Sequence, residues 1–310
     1  MTKLRDAVQD YLAMRRALGF KLRDAGKGLL DFVSFLERRR ASHITTELAL
    51  EWATQPSHHQ PATWAQRLAF VRCFARHWSA TDPRTEVPPW GLLPHRPRRA
   101  RPYIYSEQEI KRLLEAAREL PPIDGLRGWT YYCLFGLLTV TGLRISEAMA
   151  LTLQDVDLEG AVLTIHQSKF GKTRLVPLHV STQQVLTQYA RRRDAFLGGQ
   201  TPLAFLVSDR GRPLEQSAIR RTFYDLSRQT GLRGPSDHHG PRLHDFRHRF
   251  AVETMVQWYR RGQDVERRLP VLSTYLGHAH VTDTYWYLSA CPELMGLARQ
   301  RLERRWEAWP

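Results

Sequence analysis

The sequence contains little cysteine and no long apolar run. Its three cysteines, Cys73, Cys133 and Cys291, lie far apart and form no C-x-x-C pair. This spacing argues against a disulfide framework or a cysteine zinc site and favours a reducing compartment. No apolar run approaches the roughly 20 residues that cross a bilayer, and the charged N-terminus lacks the apolar segment of a signal peptide. We therefore expect a cytoplasmic protein without a membrane partner.

Acidic residues are scarce relative to basic ones. The chain of 310 residues has 46 lysines and arginines against 31 aspartates and glutamates, which gives a formal net charge of +15 and a sequence pI near 10.2. The length is sufficient for two domains with proper cores. The excess of positive charge favours a nucleic-acid partner. A protein that coats an anionic membrane and a ribosomal-type protein are the alternatives.

The first domain is predicted to be all-helical and to span residues 1–82. Apolar residues recur there at helical spacing in four short segments. On the fourth segment Arg72 and Arg76 fall away from the apolar side, where they could meet a phosphate. Residues 83–105 contain six prolines and five arginines, a composition that predicts a basic, semi-rigid linker along a phosphate backbone. Its alternative is a solvated surface loop.

The second domain, residues 106–310, is predicted to be mainly α with a small β-hairpin. Ser106 and Glu109 have the spacing of a capping box at the start of a helix. Residues 161–166 and 174–178 are apolar and β-branched and flank Gly171, a pattern that predicts a hairpin. Further helices are predicted over about 182–196, 215–230, 244–258, 270–276 and 282–287. The fold class is therefore α+β with helices dominant.

Two arginines, two histidines and a tyrosine stand in three sequence blocks. Arg144 lies in Thr-Gly-Leu-Arg-Ile-Ser-Glu, His244 and Arg247 lie in Leu-His-Asp-Phe-Arg-His-Arg-Phe-Ala, and His278 follows Leu-Gly, with Tyr287 nine residues later. An arginine fork binds two phosphate oxygens and keeps its charge at any working pH. A tyrosine oxygen can hold a phosphoryl group covalently. The set indicates attack on a phosphodiester without a metal or other cofactor.

In order and spacing these blocks resemble the tyrosine recombinase, or phage integrase, family. The resemblance covers the chain from about Ser106 to the C-terminus, and the helical first domain is similar to the family's core-binding domain in architecture only. It implies a two-domain clamp on double-stranded DNA. The catalytic residues that it implies are Arg144, Lys169, His244, Arg247, His278 and Tyr287.

The resemblance gives most of these residues a role. Arg144 and Arg247 would be the two prongs of a phosphate clamp, and His278 would donate a hydrogen bond to the transition-state phosphate. Tyr287 would attack the phosphate to form a 3′-phosphotyrosine, while Lys169 would protonate the departing 5′ oxygen.

Other assignments stay open from the sequence alone. His244 can accept the tyrosine proton or donate to a phosphate oxygen. Lys172 competes with Lys169, although Lys169 fits the end of the first strand better. His248 and Arg249 are predicted to be structural or to contact backbone.

The assignments of the nucleophilic tyrosine and of Arg144 also have alternatives. Tyr285 and Tyr275 compete with Tyr287, which the family spacing from the Leu-Gly-His histidine favours. Arg144 could instead form a salt bridge with Asp155 or Asp157. Glu147, at i+3 from that arginine, is expected to support its guanidinium.

A zinc site is the rival interpretation of the histidines. The candidates are His238, His239, His244, His248, His278 and His280. No His-Glu-x-x-His motif is present, and no carboxylate or thiolate completes a ligand-like spacing. The sequence therefore predicts no bound metal.

The expected function is site-specific recombination of DNA for a mobile element. The segment Thr284–Met295 departs from the family's commoner Thr-Thr-x-x-Tyr-Thr-His ending and looks more like recombinases of transposons and integrative elements. The alternatives are a recombinase that resolves chromosome dimers, an architectural DNA-binding partner in a multi-recombinase complex, a type IB topoisomerase and a metal-dependent nuclease or phosphatase.

Strand exchange between two duplexes implies several protomers. We expect a homo-oligomer, a tetramer on synapsed DNA, or a complex with partner recombinases. The amphipathic C-terminal segment 292–304 is a candidate to dock on a neighbouring subunit, and packing on its own domain is the alternative.

Overall fold

The computed structural model describes residues 2–55, 57, 59–93, 101–166, 173–237, 240–288 and 291–307. The chain divides into two compact units, Met1–Ala100 and Arg101–Pro310. In the described ranges, no helix combines the length and the apolar character that crossing a membrane requires.

The first unit is a bundle of four helices, as the apolar spacing predicts. They are α1 (Thr2–Ala17), α2 (Arg23–Arg38), α3 (Thr46–Thr54) and α4 (Pro61–Trp78). Thr45 caps α3, because its hydroxyl accepts a hydrogen bond from the backbone N–H of Leu48 at 3.2 Å. The fully buried aromatic rings Phe32, Phe35, Trp52 and Phe74 fill the centre of the bundle.

Arg72 does not face outward as the sequence predicts. Its side chain is buried, its Nε donates to the carbonyl oxygen of Pro88 at 2.7 Å and its Nη2 donates to that of Pro89 at 2.9 Å. The guanidinium also lies 4.4 Å from the ring centre of Trp90. A buried guanidinium requires acceptors, and the proline-rich segment supplies them. Residues 88–90 of the predicted linker are thereby held against α4, while residues 94–100 lie outside the described residues.

The second unit is mainly helical with a small sheet, which confirms the predicted fold class. Its elements are α5 (Glu107–Arg118), α6 (Arg127–Thr141), α7 (Ile145–Ala150), a 3₁₀ turn (Leu153–Asp155), β1 (Val156–Asp157), β2 (Val162–Ile165), β3 (Arg174–Pro177), α8 (Val180–Phe196), α9 (Gln216–Gln229), α10 (Asp245–Arg260), α11 (Val265–Leu276), α12 (Thr282–Tyr285) and α13 (Pro292–Glu307). The capping box at Ser106 and Glu109 forms as predicted.

The sheet contains the predicted hairpin and one strand that the sequence did not indicate. The strand order is β1-β2-β3, and both pairs are antiparallel. Leu163 of β2 lies opposite Val156 on one side and Val176 on the other. β1 is only two residues long, too short for an alternating pattern to reveal it. The predicted turn, including Lys169 and Lys172, lies outside the described residues.

The last helix packs on its own chain. Leu294 of α13 is buried in a cluster with residues of α10 and α11, and Arg260 of α10 donates to Glu293 at 2.5 Å. Docking of this segment on a neighbouring subunit stays a prediction. Met295, Leu302 and Trp306 are its exposed apolar side chains.

The centre of the second unit is a cluster of aromatic rings around α6. The ring of Phe135 lies 5.7–6.1 Å from those of Tyr131, Phe223 and Phe246. These rings join α6 to α9 and to α10, so that the cluster fixes the three helices relative to one another.

Replacing Phe135 by alanine is expected to lower the free energy of unfolding by about 3–5 kcal/mol, because it leaves a cavity among these rings. Urea unfolding followed by circular dichroism measures the loss. The control is Ile123→Ala, whose side chain is 91% exposed and whose loss should stay within about 0.5 kcal/mol. Equal losses for both variants would contradict the central position of Phe135.

Candidate active site

Arg247 lies at the centre of the candidate site and is 1% exposed. Its Nη1 donates to the carbonyl oxygen of Gly142 at 2.9 Å, and its Nη2 donates to that of Leu276 at 2.5 Å. Gly142 follows the end of α6, and Leu276 is the last residue of α11. Carbonyl groups at helix C-termini lack a hydrogen-bond donor within the helix. One guanidinium therefore supplies donors to the ends of two helices and joins them.

This junction brings two sequence blocks to one place. Gly142 and Gly277 end their helices in the left-handed conformation, with φ of 62° and 66°, where glycine avoids the strain of a side chain. Arg144 lies two residues after Gly142, and His278 follows Gly277 directly. The Nη2 of Arg144 lies 3.4 Å from the carbonyl oxygen of Gly277.

Arg144 is held by Glu147, one turn further along α7. The Nη1 of Arg144 donates to Oε1 of Glu147 at 2.8 Å, and its backbone N–H donates to Oε2 at 2.9 Å. The expected support by Glu147 is therefore observed, and a salt bridge with Asp155 or Asp157 is not. Asp155 instead lies 3.0 Å from the His166 ring nitrogen, and Asp157 accepts hydrogen bonds from its own turn.

A second arginine, Arg174 of β3, contacts the same carboxylate, and the sequence analysis gave it no role. Its Nη2 lies 2.8 Å from Oε2 of Glu147, and its Nε donates to the carbonyl oxygen of Tyr275 at 2.7 Å. Alternation along β3 could have revealed it, because Arg174 shares a strand face with buried Val176. An arginine on the inward face of a strand requires a buried partner.

Glu147 is ionised in this environment. Burial by itself raises the pKa of its carboxyl group, but hydrogen bonds from Arg174 and from the backbone of Arg144, together with both positive charges, outweigh it and lower the pKa to about 2.

Tyr287 is the tyrosine that lies against these groups. It is 3% exposed and lies close enough to Arg247 to oppose the lowering of that guanidinium's pKa. Its ring centre is 5.9 Å from that of His278. Tyr285 is 50% exposed, whereas Tyr275 stacks on Phe250. Of the three tyrosines, Tyr287 is the one whose ring lies beside those of both His248 and His278.

The histidines form a row beside this tyrosine. The ring of His248 lies 4.9 Å from that of His244 and 5.1 Å from that of Tyr287. His248 was predicted to be structural, so its position beside Tyr287 is an addition to the sequence analysis. His278 Nδ1 lies 2.8 Å from the hydroxyl oxygen of Thr284.

The protein lowers the pKa of two of these histidines. Burial, followed by the neighbouring His244, lowers the pKa of His248 to about 4. His244 keeps part of its ring exposed, but desolvation by the surrounding atoms and the charge of Arg247 lower its pKa as well. Both rings are therefore neutral at pH 7.

Arg247 is protonated at the same pH. Burial lowers its pKa to about 10, an effect that its contact with Tyr287 opposes. The site thus combines two charged guanidinium groups with neutral imidazoles, an arrangement that suits an anionic phosphodiester.

The remaining predicted residues have different outcomes. Arg249 donates to the backbone carbonyl of Tyr105 at 2.9 Å, a contact within the protein that agrees with the predicted structural role. Lys169, its competitor Lys172 and the zinc candidates His238 and His239 lie outside the described residues. Among those the structure describes, no three histidine, cysteine, aspartate or glutamate side chains are arranged to hold a metal ion.

His248 predicts a dependence of stability on pH. Its folded pKa of about 4 lies below the value of about 6.5 in an unfolded chain. Between these values the unfolded state binds more protons, so that stability falls as the pH decreases. From pH 7 to pH 5, His248 is expected to remove about 2 kcal/mol from the free energy of unfolding. His244 acts in the same direction, whereas Glu147 contributes only at lower pH.

Urea unfolding at pH 7 and pH 5 measures this loss. His248→Asn should reduce the difference between the two pH values, and His280→Asn, at an exposed position, should leave it as in the wild type. An unchanged difference in His248→Asn would show that this ring is not the titrating group.

Comparison with known proteins identifies the family. The phage integrase family model matches residues 104–293. The chain is 59% identical to the integrase/recombinase y4rB of Sinorhizobium fredii over 99% of both chains. It is 31% identical to the tyrosine recombinase XerD of Caulobacter vibrioides, over 93% of this chain and 92% of the relative.

A solved structure shares the fold. The integrase of transposon Tn1549, in complex with transposon right end DNA, gives a TM-score of 0.66 at 16% identity and covers 96% of this chain and 98% of that one. Together with the family match over residues 104–293, these comparisons show that the chain belongs to the phage integrase family and is a tyrosine-type site-specific recombinase.

Proposed function

We propose that this chain cuts and rejoins double-stranded DNA through a 3′-phosphotyrosine, with Tyr287 as the nucleophile. The observation that supports this most directly is the position of Tyr287, whose buried ring lies 5.1 Å from that of His248 and 5.9 Å from that of His278, close to the buried guanidinium of Arg247. A group that binds phosphate and a group that attacks it are thus adjacent in one chain. His278 and Arg144 reach the same place through the ends of α11 and α6.

The first step forms a bond between the Tyr287 oxygen and phosphorus and breaks the bond from phosphorus to the 5′ oxygen. Arg144, Arg247 and His278 stabilise the charge that builds on the non-bridging oxygens. Neutral His244 can accept the phenol proton. Lys169 is the proposed donor to the leaving 5′ oxygen, with Lys172 as the alternative.

The second step reverses the first. A 5′ hydroxyl group of the partner duplex gives its proton to the deprotonated lysine as it attacks the phosphotyrosine, and Tyr287 leaves and takes its proton back from His244. The phosphodiester energy is retained in the covalent intermediate, so that the proposed cycle requires no nucleotide, metal or other cofactor.

The proposed substrate is double-stranded DNA, held in a clamp by the two units. The formal charge of +15 supports this partner, as does the DNA in the Tn1549 integrase structure. Exchange between two duplexes cuts four strands, and each chain supplies one Tyr287. A tetramer on synapsed DNA is therefore the proposed assembly, and a mixed complex with partner recombinases is its alternative.

The proposed biological role is the movement of a mobile element in the cytoplasm. High identity with the integrase/recombinase y4rB and the fold shared with a transposon integrase favour it. The lower identity with XerD makes resolution of chromosome dimers the second candidate. Recombination assays with the ends of the encoding element and with chromosomal sites separate the two.

Tyr287→Phe is expected to abolish covalent attachment to DNA, because phenylalanine has no oxygen to attack phosphorus. The measurement uses a nicked suicide duplex from the ends of the encoding element, with EDTA present, and detects protein–DNA bands that resist denaturation. Tyr285→Phe, two residues away and half exposed, is the matched control and should react like the wild type.

A band that persists in Tyr287→Phe would move the nucleophile to Tyr285 or Tyr275. Binding in a gel shift without any band in the wild type would favour an architectural role. DNA cleavage that forms no covalent band and that EDTA abolishes would favour a metal-dependent nuclease.

Arg144→Gln is expected to slow cleavage by about 10²- to 10³-fold, the usual effect of removing a donor to transition-state charge. Because the ring of Tyr287 lies beside those of His248 and His278 in the same chain, we expect each active site to come from a single protomer. A mixture of Arg144→Gln and Tyr287→Phe proteins should therefore not recover the wild-type cleavage rate. Recovery in the mixture, measured on the same suicide duplex, would show that two protomers share a site.

A further inference from the structure

The carboxylate of Glu147 is shared by two arginines of different elements. Its Oε1 lies 2.8 Å from Nη1 of Arg144 and 3.2 Å from Nη1 of Arg174. Its Oε2 lies 2.9 Å from the backbone nitrogen of Arg144 and 2.8 Å from Nη2 of Arg174. Each carboxylate oxygen therefore accepts from both residues, and the three side chains form one charged cluster.

The two arginines differ in what they can reach. The Arg174 side chain is 9% exposed, whereas that of Arg144 is 22% exposed. The donors of Arg174 point to protein acceptors, namely Glu147 and the carbonyl oxygen of Tyr275. Arg144 is thus the member of the cluster that a substrate can contact, and Arg174 faces the interior.

The cluster carries a net charge of +1, because Glu147 is ionised between two guanidinium groups. If Arg174 were neutral, Arg144 and Glu147 would form a pair without net charge. A neutral pair attracts an anionic phosphate more weakly than a cation does, and the difference is large where water is excluded.

The side chain of Arg174 also contacts the turn that precedes His278. Its Nε donates to the carbonyl oxygen of Tyr275 in the last turn of α11. A Cβ atom on Gly277 would lie 2.8 Å from Nη1 of Arg174, so the guanidinium packs directly against that glycine. One side chain of β3 thereby touches the residues that place both Arg144 and His278.

We propose that Arg174 is a positioning residue of the active site, which offsets the negative charge of Glu147 so that the cluster keeps a net positive charge at Arg144 for the substrate phosphate. This inference rests on the proposed function, in which Arg144 binds the scissile phosphate. Arg174 itself touches no substrate atom.

The test compares single-turnover cleavage of the suicide duplex by the wild type and three variants. Arg174→Met removes the charge and should slow cleavage by about 10- to 100-fold, less than loss of a direct phosphate ligand. The double variant Glu147→Gln with Arg174→Met restores the net charge of +1 and should recover most of the lost rate. Arg193→Met is the matched control, since Arg193 is also a buried arginine and bonds to Asp194 and the Phe205 carbonyl.

A second substrate separates charge balance from a merely structural role. A methylphosphonate at the scissile position is uncharged, so the net charge of the cluster matters less to it. The ratio of wild-type to Arg174→Met rates should therefore be several-fold smaller on methylphosphonate than on phosphate. Arg174→Lys, which keeps the charge without the bidentate contact, should cleave phosphate faster than Arg174→Met.

Three results would overturn the inference. They are a double variant as slow as Arg174→Met, an equal loss on both substrates, and an equal loss in Arg193→Met. Thermal unfolding of each protein shows whether it is folded at the assay temperature. If Arg174→Met is poorly folded, the test compares Arg174→Lys and the double variant with the wild type, and both variants should retain activity. Failure of the wild type to form any covalent product would instead reject the proposed function.

Discussion

The site depends on one buried guanidinium bound to two helix ends. Arg247 donates to the carbonyl oxygens of Gly142 and Leu276, which lie 105 and 29 residues away in sequence. A buried cation is costly unless its hydrogen bonds are made, and helix C-termini offer carbonyl groups that need donors. This mutual requirement fixes α6 and α11 against α10. The positions of Arg144 and His278 follow, because each comes two residues after one of the joined ends.

Electrostatic balance around this junction is set by carboxylates that already have partners. Glu147 is held between Arg144 and Arg174, and the buried Asp245 pairs with Arg242 at 2.9 Å. An arginine therefore neutralises the negative charge of each of these two carboxylates. His244 and His248 are neutral at pH 7, whereas Arg144 and Arg247 keep a positive charge that the physiological range of pH does not change.

Much of the architecture was predictable because it depends on local patterns. Helical spacing of apolar residues, the capping box at Ser106 and the apolar segments around the hairpin each specify backbone conformation within a few residues. The predictions that failed concern long-range partners. Arg72 was expected to face phosphate but binds the carbonyl groups of Pro88 and Pro89, and Arg174 received no role, because its partners lie on other elements.

The sequence by itself determined the family, the helical fold class and the set of chemically competent residues, since motif order and residue type are properties of the chain. Only the tertiary structure decided which of these residues meet. It placed Tyr287 rather than Tyr285 beside the rings of His248 and His278, and it gave Glu147 two arginines instead of one. The physical reason is that burial and hydrogen-bond pairing depend on contacts between distant segments, which no local pattern encodes.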